Sequence, residues 1–319
     1  MSDQQLINAL LFMYTESSLH AGTGSSVSAV DLPIQRERAT QFPLVQGSGV
    51  KGALRSQAQS RLESLDDSQL HSIGIERRDD IEDFIDRIFG GEEPDPDDVK
   101  KKRLFAGAVS VGDARIVLFP VRALKGVFAY ATCPAALARL ARLRSDFPAI
   151  PVLESRSALI TKQSDLVASG RIVLEEFTFA PKPDAAADAI AAWLATNAFP
   201  DGDAYAYWRG KIMTSLVILP DDDFRDFTVS STEIATRVRL DRATKTVDGS
   251  GLWTQESLPS DTLLVSPIMF QNARKTGDGR GSSEIKSVVS KIVKDGLKER
   301  IQLGGDETTG QGMVALRWA

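Results

Sequence analysis

The stretch that decides the fold is RVRLDRATKTVDGSGLWTQESLP, residues 237–259. Basic and apolar residues alternate from Arg237 to Leu240, and an aromatic segment follows Asp248-Gly-Ser-Gly251. Alternation on both sides of a glycine-rich turn is typical of a β-hairpin. We therefore predict a protruding hairpin that turns at residues 248–251, in which Leu252 and Trp253 could stack on bases. A surface hairpin at a contact between copies of the chain is a compatible interpretation.

Strand-like and helical patterns interleave on either side of this hairpin. Apolar runs typical of strands cover residues 6–14, 108–111, 116–119, 171–179, 216–219 and 314–318. Helical periodicity begins near Ser48, Pro134 and Asp184. A further apolar stripe, from Ile285 to Val293 with Gly296 at its exit, predicts the best helix in the chain. This interleaving predicts the α+β class, with helices packed on a sheet.

The composition is that of an ordinary soluble globular protein. The chain has 319 residues, of which 42% are hydrophobic and 25% charged, which is enough for one elaborated domain or two. Cys133 is the only cysteine and His20 and His71 the only histidines, which argues against disulfides, cysteine-rich zinc sites and histidine metal cages. Because apolar runs of ~20 residues and the basic start of a signal peptide are missing, we expect a cytoplasmic protein with no membrane partner.

The distribution of charged residues along the chain is more informative about a nucleic-acid partner than the net charge. The net charge of −5 disfavours a nucleic-acid partner at first sight, because such proteins usually carry a basic surface. Acidic residues, however, dominate the segment 76–98, whereas basic residues cluster at 36–38, 51–55, 237–245 and 274–298. One acidic region can therefore hide a basic groove, although ordinary solvated faces would give the same pattern.

Asp31 is the first candidate for chemistry. It opens the segment Asp31-Leu-Pro-Ile-Gln-Arg-Glu-Arg38, which follows a Gly/Ser-rich loop that starts at His20. A carboxylate with the usual pKa of ~3.9 is ionised at neutral pH and could bind Mg²⁺ or accept a proton, and His20 could transfer one. The alternatives are a weak local ion pair of Asp31 with Arg36 or Arg38 and a structural histidine.

The second candidate is the segment Ser48-Gly-Val-Lys-Gly-Ala-Leu-Arg55. If Ser48 is the N-cap of a helix, the amides of the first turn form an anion site, and Lys51 and Arg55 share one face of the helix. That geometry suits a phosphate group. An ordinary capped amphipathic helix with exposed basic residues is the alternative.

The third candidate is the glycine-rich segment 304–312. Its four glycines allow the backbone to approach a ligand closely or to adopt positive φ. It is neither a Walker loop nor a dinucleotide fingerprint, because no Gly-Lys-Ser/Thr follows and a strand, not a helix, comes next. A glycine-rich hairpin is the alternative.

Taken together, these segments resemble the repeat-associated mysterious protein (RAMP) superfamily of CRISPR systems, and within it the backbone subunit of type III-B (Cmr) effector complexes. Each motif is weak singly, but they occur in the expected order and the ordered set is specific. The resemblance rests on His20-Ala-Gly-Thr-Gly with Asp31-Leu-Pro-Ile-Gln-Arg-Glu37, Ser48-Gly-Val-Lys-Gly52 with Arg55, Arg239-Leu-Asp-Arg242 through Gly251-Leu-Trp253, and Gly304-Gly305 through Thr309-Gly-Gln-Gly312.

The resemblance implies a modified ferredoxin-like (RRM-like) palm with a helical insertion and a β-hairpin thumb. On this basis the chain divides into a first palm part with an RNA-facing loop and helix (1–64), an acidic helical insertion (65–104), a second palm part (105–234), the thumb hairpin (235–263) and a C-terminal palm part with the glycine-rich loop (264–319).

The resemblance also implies an activity. Copies of the chain would stack along a CRISPR guide RNA, together with other subunits of the complex, and cut complementary single-stranded target RNA at regular intervals. Asp31 maps onto the catalytic aspartate, His20 and Glu256 map onto further catalytic positions, and Mg²⁺ or Mn²⁺ is expected at Asp31. A 2′-hydroxyl would attack its own phosphate and leave a cyclic phosphate. The expected RNA-binding residues are Ser48, Lys51, Arg55, Arg36, Arg239, Arg242, Trp253, Gly305, Gly310 and Gly312.

Three other functions stay open at this point. The chain could be an inert guide-RNA-binding backbone subunit in which Asp31 pairs with an arginine. It could be a guide-RNA-processing endoribonuclease of the same superfamily, which cuts repeat RNA without a metal. It could also be a metabolic enzyme that binds a nucleotide through its glycine-rich loops. Within the favoured function, Asp31 is either a general base or a metal ligand.

Overall fold

The computed structural model describes residues 7–26, 29–95, 100–154, 156–275, 278–294 and 300–319. The strands are β1 (Ile7–Thr15), β2 (Leu44–Val45), β3 (Gly90–Pro94), β4 (Lys102–Ala106), β5 (Val109–Val111), β6 (Ala114–Arg122), β7 (Phe128–Thr132), β8 (Ser157–Ile160), β9 (Ile172–Leu174), β10 (Phe177–Pro183), β11 (Leu216–Ile218), β12 (Glu233–Leu240), β13 (Val247–Ser257), β14 (Leu263–Phe270), β15 (Arg300–Gln302) and β16 (Met313–Trp318). The helices are α1 (Gly47–Ser64), α2 (Asp67–His71), α3 (Ile81–Phe89), α4 (Pro134–Ala141), α5 (Ala185–Asn197), α6 (Ala206–Ser215), α7 (Asp221–Ser230) and α8 (Ser282–Lys294).

One mixed sheet organises the described part of the chain. Its strand order is β15-β16-β1-β14-β6-β7-β11-β8-β10-β9, with β2 against β6 and β5 against β14. The N-terminal strand β1 pairs antiparallel with both β14 and β16, which come from the last fifth of the chain. The predicted α+β class is confirmed. The alternation over 171–179 forms two strands and not one, because the chain turns at Glu175, whose φ is 49°.

Helices cover both faces of the sheet. Successive side chains of β1 point to opposite faces, so that Leu11 and Met13 belong to one core and Phe12 and Tyr14 to the other. Helices α1, α3, α7 and α8 pack on the first face, and α5 and α6 pack on the second. This arrangement explains why the first strand is apolar without alternation.

The helix predicted from the Ser48 segment exists, but its predicted N-cap is wrong. Helix α1 begins at Gly47 after Gln46, and Ser48 lies exposed in its first turn. The amide of Gly47 donates to the Asp113 carboxylate at 2.9 Å. A Cβ on Gly47 would lie 2.4 Å from the carbonyl oxygen of Val111. The helix therefore begins where only glycine fits against β5, with a cap that comes from a distant aspartate.

The apolar stripe of the helix predicted late in the chain is confirmed. Ile285, Val289 and Ile292 of α8 are buried in the same core as α1. The predicted exit at Gly296, the side chain of Val293 and the first residue of the predicted first strand, Leu6, lie outside the described residues.

The acidic segment contains the predicted helix and an additional strand pair. Phe84, Ile85 and Ile88 of α3 are buried in the core that α1 also enters. After α3 the chain forms an antiparallel pair, β3 and β4, which the helical prediction missed. The segment is thus packed into the core on its apolar side.

The protruding hairpin is confirmed, but its predicted turn is wrong. Strands β12 and β13 pair antiparallel, with Arg237 opposite Trp253. The chain turns at residues 241–246, because the Asp241 carboxylate accepts hydrogen bonds from the amides of Ala243 (3.0 Å) and Thr244 (2.7 Å) and from the Thr244 hydroxyl. Residues 248–251 lie within β13, next to a register shift between β12 and β13.

No helix in the described ranges has both the length and the apolarity needed to cross a membrane.

Candidate active site

Strand β13 is the element on which the candidate residues converge. The amide of Leu32 donates to the carbonyl of Thr254, and the amide of Glu256 donates to the carbonyl of Leu32, both at 3.0 Å. Residue Leu32 thereby forms a parallel bridge with Gln255. The segment that starts at Asp31 is therefore bound along the base of the hairpin, although more than 200 residues separate the two in sequence.

Asp31 is exposed and its carboxylate is oriented by Thr254. Its Oδ2 accepts hydrogen bonds from the Thr254 amide (2.7 Å) and the Thr254 hydroxyl (2.8 Å). These bonds, the one from the backbone first, lower the pKa of Asp31. No described residue donates to Oδ1, and neither Arg36 nor Arg38 forms an ion pair with Asp31, which removes the predicted alternative of a local arginine pair. Within the residues that the structure describes, the site thus presents an ionised carboxylate whose Oδ2 is engaged by Thr254 and whose Oδ1 accepts no hydrogen bond.

Glu256, in contrast, is buried, and both oxygens of its carboxylate accept hydrogen bonds from other residues of the chain. Oε2 accepts a hydrogen bond from the amide of Ile34 at 3.0 Å. Oε1 accepts one from the Thr232 hydroxyl at 2.8 Å and forms an ion pair with Arg36. The side chain of Glu256 is 8% exposed and that of Arg36 is 15% exposed. The geometry therefore suits a role in holding residues 31–36 in place.

Arg36 completes this internal network. Its Nη1 donates to the carbonyls of Thr228 (2.9 Å) and Gln41 (3.0 Å), and its Nη2 binds Glu256. The structure therefore places Arg36, a predicted RNA-binding residue, between the Asp31 segment, the hairpin base and the end of α7.

His20 also contacts β13. Its Nδ1 lies 2.6 Å from the carbonyl oxygen of Glu256. Because a carbonyl can only accept, Nδ1 carries the hydrogen, and the neutral ring has its lone pair on Nε2. The ring is half-buried. His20, Asp31 and Glu256 are thus gathered around one strand, although no direct hydrogen bond joins their side chains in the structure as described.

The glycine-rich loop is attached to the same place. It joins β15 to β16, as the hairpin alternative predicted. The amide of Gly305 donates to the carbonyl of His20 at 2.9 Å. A Cβ on Gly304 would lie 2.4 Å from that carbonyl oxygen, so this close approach requires glycine. The Gln255 side-chain amide donates to the Asp306 carboxylate. Gly310 is exposed with a φ of 79°, and Gly312 is buried with a φ of 73°.

Helix α1, which carries Lys51, forms one wall of a groove whose other wall is the glycine-rich loop. The groove is lined by small or polar residues, including Gly49, Gly52 and Gly304, and by one acid, Glu307, whereas Lys51 is not among its lining residues. Burial lowers the pKa of Lys51, and the charges of Arg55 and Arg274 lower it further. No carboxylate of a described residue lies within ion-pair distance of Lys51. A half-buried ammonium beside two guanidinium groups would be stabilised by an anion.

Arg55 differs from Lys51 in its contacts. It forms an ion pair with Asp86 and donates to the carbonyl of Gly90 at 2.6 Å. Both partners belong to the acidic segment. Arg55 therefore ties α1 to α3 and β3, and its guanidinium is partly engaged within the chain.

The predicted RNA-binding residues of the hairpin lie on its outer part. Arg239 is exposed and forms a surface ion pair with Asp248 at 3.0 Å, and Arg242 is exposed at the turn. Leu252 is 60% exposed and Trp253 is half-buried. The hairpin therefore offers apolar and basic side chains outside its own core.

The described residues do not build a complete metal centre. No group of three or more histidine, cysteine, aspartate or glutamate residues converges within them. The open Oδ1 of Asp31 fits a Mg²⁺ or Mn²⁺ ion that takes its remaining ligands from phosphate oxygens and water, which is how Mg²⁺ commonly binds. It does not fit an ion held by the protein alone.

Sequence reasoning missed Thr254 and Gln255. A signal was available for Thr254, because side chains at i and i+2 of a strand share a face, which places Thr254 on the same face as the candidate Glu256. For Gln255, whose partner Asp306 lies 51 residues away, the sequence carries no such signal.

Comparison with known proteins identifies the family. A family model described as the RAMP superfamily matches residues 12–315. The chain belongs to the RAMP superfamily. This match spans almost the whole described sheet and confirms the resemblance predicted from the ordered motifs.

Two curated relatives match nearly the whole length of the chain. Over 312 residues the chain is 36% identical to the "CRISPR system Cmr endoribonuclease Cmr4" of Pyrococcus furiosus, with 96% of this chain and 93% of the relative covered. Over 329 residues it is 23% identical to the "CRISPR system CMR subunit Cmr4" of Saccharolobus solfataricus, with 96% and 95% covered.

Solved structures share this fold over nearly the whole chain. The crystal structure of oligomeric Cmr4 from Pyrococcus furiosus matches with a TM-score of 0.69 and 28% identity over 98% of both chains. A chain in the cryo-EM structure of the type III-B Cmr-beta complex bound to cognate target RNA matches with a TM-score of 0.66 and 21% identity, covering 98% of this chain and 97% of that one.

The buried pair of Arg36 and Glu256 generates a stability prediction. Glu256→Gln leaves the Arg36 charge buried without its partner, which costs about 3–5 kcal/mol of the free energy of unfolding. The double variant Arg36→Met/Glu256→Gln should cost less than the sum of the two single variants, because no unpaired charge remains. Urea denaturation measures all three, with Glu154→Gln, an exposed glutamate, as a control expected to change stability by less than about 1 kcal/mol. Strict additivity of the two single variants would contradict the positioning role.

Proposed function

We propose that this chain is a backbone subunit of a type III-B CRISPR effector complex, in which it binds guide RNA and cleaves complementary target RNA. The observation that carries the proposal is the exposed Asp31 carboxylate, whose Oδ2 is held by Thr254 at the base of the hairpin. Its support is the 36% identity, over nearly the whole chain, to a protein named as a Cmr endoribonuclease. Self-assembly and partnership with other subunits are proposed from relatives described as oligomeric Cmr4 and as a Cmr complex bound to target RNA.

In this proposal the surface of α1 around Lys51 holds the guide backbone. The Lys51 ammonium would attract phosphate without distinguishing bases, whereas the Gly47 amide at the start of α1 is already bound to Asp113. The glycine-rich loop, with Gly305 and Gly310 exposed, would let the RNA backbone approach closely. Sequence selection would then come from base pairing between guide and target. We further propose that the central sheet corresponds to a ferredoxin-like palm and the β12–β13 hairpin to its thumb.

The proposed chemistry needs a distorted target strand. A regular A-form backbone does not align a 2′-hydroxyl with its own phosphate, and a hairpin that presents Leu252 and Trp253 could separate neighbouring bases. Oδ1 of Asp31 would take the 2′-hydroxyl proton while the 2′-oxygen bonds to phosphorus. The 5′-oxygen then leaves with a proton from water, and a 2′,3′-cyclic phosphate remains. In the other role open to Asp31, its carboxylate would hold a divalent ion, which would supply stabilisation of the negative charge that develops on the phosphate.

Asp31→Asn tests the catalytic assignment. The substitution keeps an acceptor for Thr254 but removes the charge and the basic oxygen, so target cleavage by the assembled complex should fall at least about 100-fold. Target-RNA affinity should stay the same. The rate of cleavage of bound target and the dissociation constant are measured in parallel.

Asp66→Asn is the matched control for that experiment. Asp66 is also exposed and also accepts a backbone amide, as the N-cap of α2, a position where asparagine serves equally well. Cleavage by this variant should match that of the unmodified chain. Equal loss of cleavage and RNA binding in Asp31→Asn would favour the inert-backbone alternative.

Lys51→Ala tests the guide-binding surface. Loss of one contact between a cation and a phosphate should lower the slope of log Kd against log salt by about 0.7, the contribution expected for single-stranded RNA. Lys182→Ala, an exposed lysine on β10, should leave the slope unchanged. Guide-RNA binding at a series of KCl concentrations gives both slopes, and an unaltered slope in Lys51→Ala would exclude Lys51 from the phosphate contacts.

Metal removal tests the proposed ion. Because no group of three or more metal-binding side chains converges among the described residues, the ion would not support the fold. EDTA should therefore abolish target cleavage without lowering the thermal unfolding temperature, and added Mg²⁺ or Mn²⁺ should restore cleavage. Cleavage rate and unfolding temperature are measured on the same samples. Undiminished cleavage in EDTA would instead favour a mechanism in which Asp31 acts as a base alone.

A further inference from the structure

We propose that the Thr254 hydroxyl is a positioning group for RNA cleavage, which holds one oxygen of the Asp31 carboxylate so that only Oδ1 is available to the reacting RNA. This inference rests on the proposed function and names the residue that prepares its catalytic group. Thr254 itself would touch neither the scissile phosphate nor the 2′-hydroxyl.

The contacts between the two residues form a closed ring. The Thr254 hydroxyl donates to Oδ2 of Asp31 at 2.8 Å, and the Thr254 amide donates to the same oxygen at 2.7 Å. In return, the amide of Asp31 donates to the hydroxyl oxygen of Thr254 at 3.0 Å. The hydroxyl therefore acts as donor and acceptor at once, and it connects the carboxylate to the backbone of its own residue.

This ring limits the rotation of the carboxylate. One hydrogen bond from a backbone amide would leave the group free to turn about its Cβ–Cγ bond, whereas two donors on one oxygen hold it. The β-branched side chain of Thr254 has few accessible rotamers, so the hydroxyl keeps its direction. A displacement of about 1 Å at a reacting group can cost roughly 100-fold in rate.

The neighbours of Thr254 make it a rigid support. Gln255 binds the Asp306 carboxylate, and Glu256 binds Arg36, Thr232 and the amide of Ile34. The two residues that follow Thr254 on β13 are therefore tied to other segments of the chain on both faces of the strand. Positioning groups act best when they lie on such braced elements.

Thr254→Val and Thr254→Ser, in the assembled complex, test the inference. Valine keeps the shape and the backbone amide but lacks the hydroxyl, so cleavage of bound target should slow roughly 10- to 100-fold with an unchanged Kd. Serine keeps the hydroxyl and should restore most of the rate.

Thr236→Val is the control. Thr236 lies directly opposite Thr254 on β12 and is exposed, so the same substitution is made on the same face of the hairpin without touching Asp31. The inference is overturned if Thr254→Val cleaves bound target at the rate of Thr236→Val. It is equally overturned if Thr254→Ser is as slow as Thr254→Val.

Asp31→Asn, measured in the same series, separates this inference from the proposed function. Full cleavage by Asp31→Asn would contradict the proposed function itself. Loss of cleavage in Asp31→Asn together with normal cleavage in Thr254→Val would contradict only the positioning role of the hydroxyl.

Discussion

The buried ion pair between Arg36 and Glu256 is the interaction on which the candidate site depends. A buried carboxylate is costly unless a cation and further donors compensate it, and Glu256 receives Arg36, the Thr232 hydroxyl and the Ile34 amide. Each of these donors comes from a segment that would otherwise be a surface loop. The electrostatic requirement of one residue therefore determines where the chain after Asp31 must lie.

The strand that carries Glu256 uses its alternation to connect two loops. Thr254 and Glu256 share one face and contact the segment 31–36, whereas Gln255 points the other way and contacts Asp306 of the glycine-rich loop. A rotation of the hairpin would consequently displace both the segment 31–36 and the glycine-rich loop. In the proposed function the segment that starts at Asp31 cuts the target RNA and the glycine-rich loop contacts the guide RNA. Both are attached to strand β13.

The sequence predicted the helices and strands better than it predicted where they begin, where they turn and which distant residues they contact. The hairpin follows from local alternation, and the apolar stripe of α1 follows from local periodicity, so both could be predicted. The turn at 241–246 depends on the side chain of Asp241, which outcompetes the glycine signal of residues 248–251. The start of α1 depends on Asp113 and on the close packing of Gly47. Likewise, Asp31 could be singled out by its neighbours, but its partner lies 223 positions away.

Net charge is a poor guide to the partner of this chain because much of the acidity is neutralised internally. The acidic segment forms ion pairs with basic residues that are near it in space, among them Asp86 with Arg55, Asp83 with Arg87 and Glu93 with Arg103. Such pairs contribute little to the field beyond about 10 Å at physiological salt. The potential around Lys51 is then set by nearby charges: burial lowers the pKa of Lys51 most, and the charges of Arg55 and Arg274 lower it further. A negatively charged protein can therefore present a locally cationic surface to RNA.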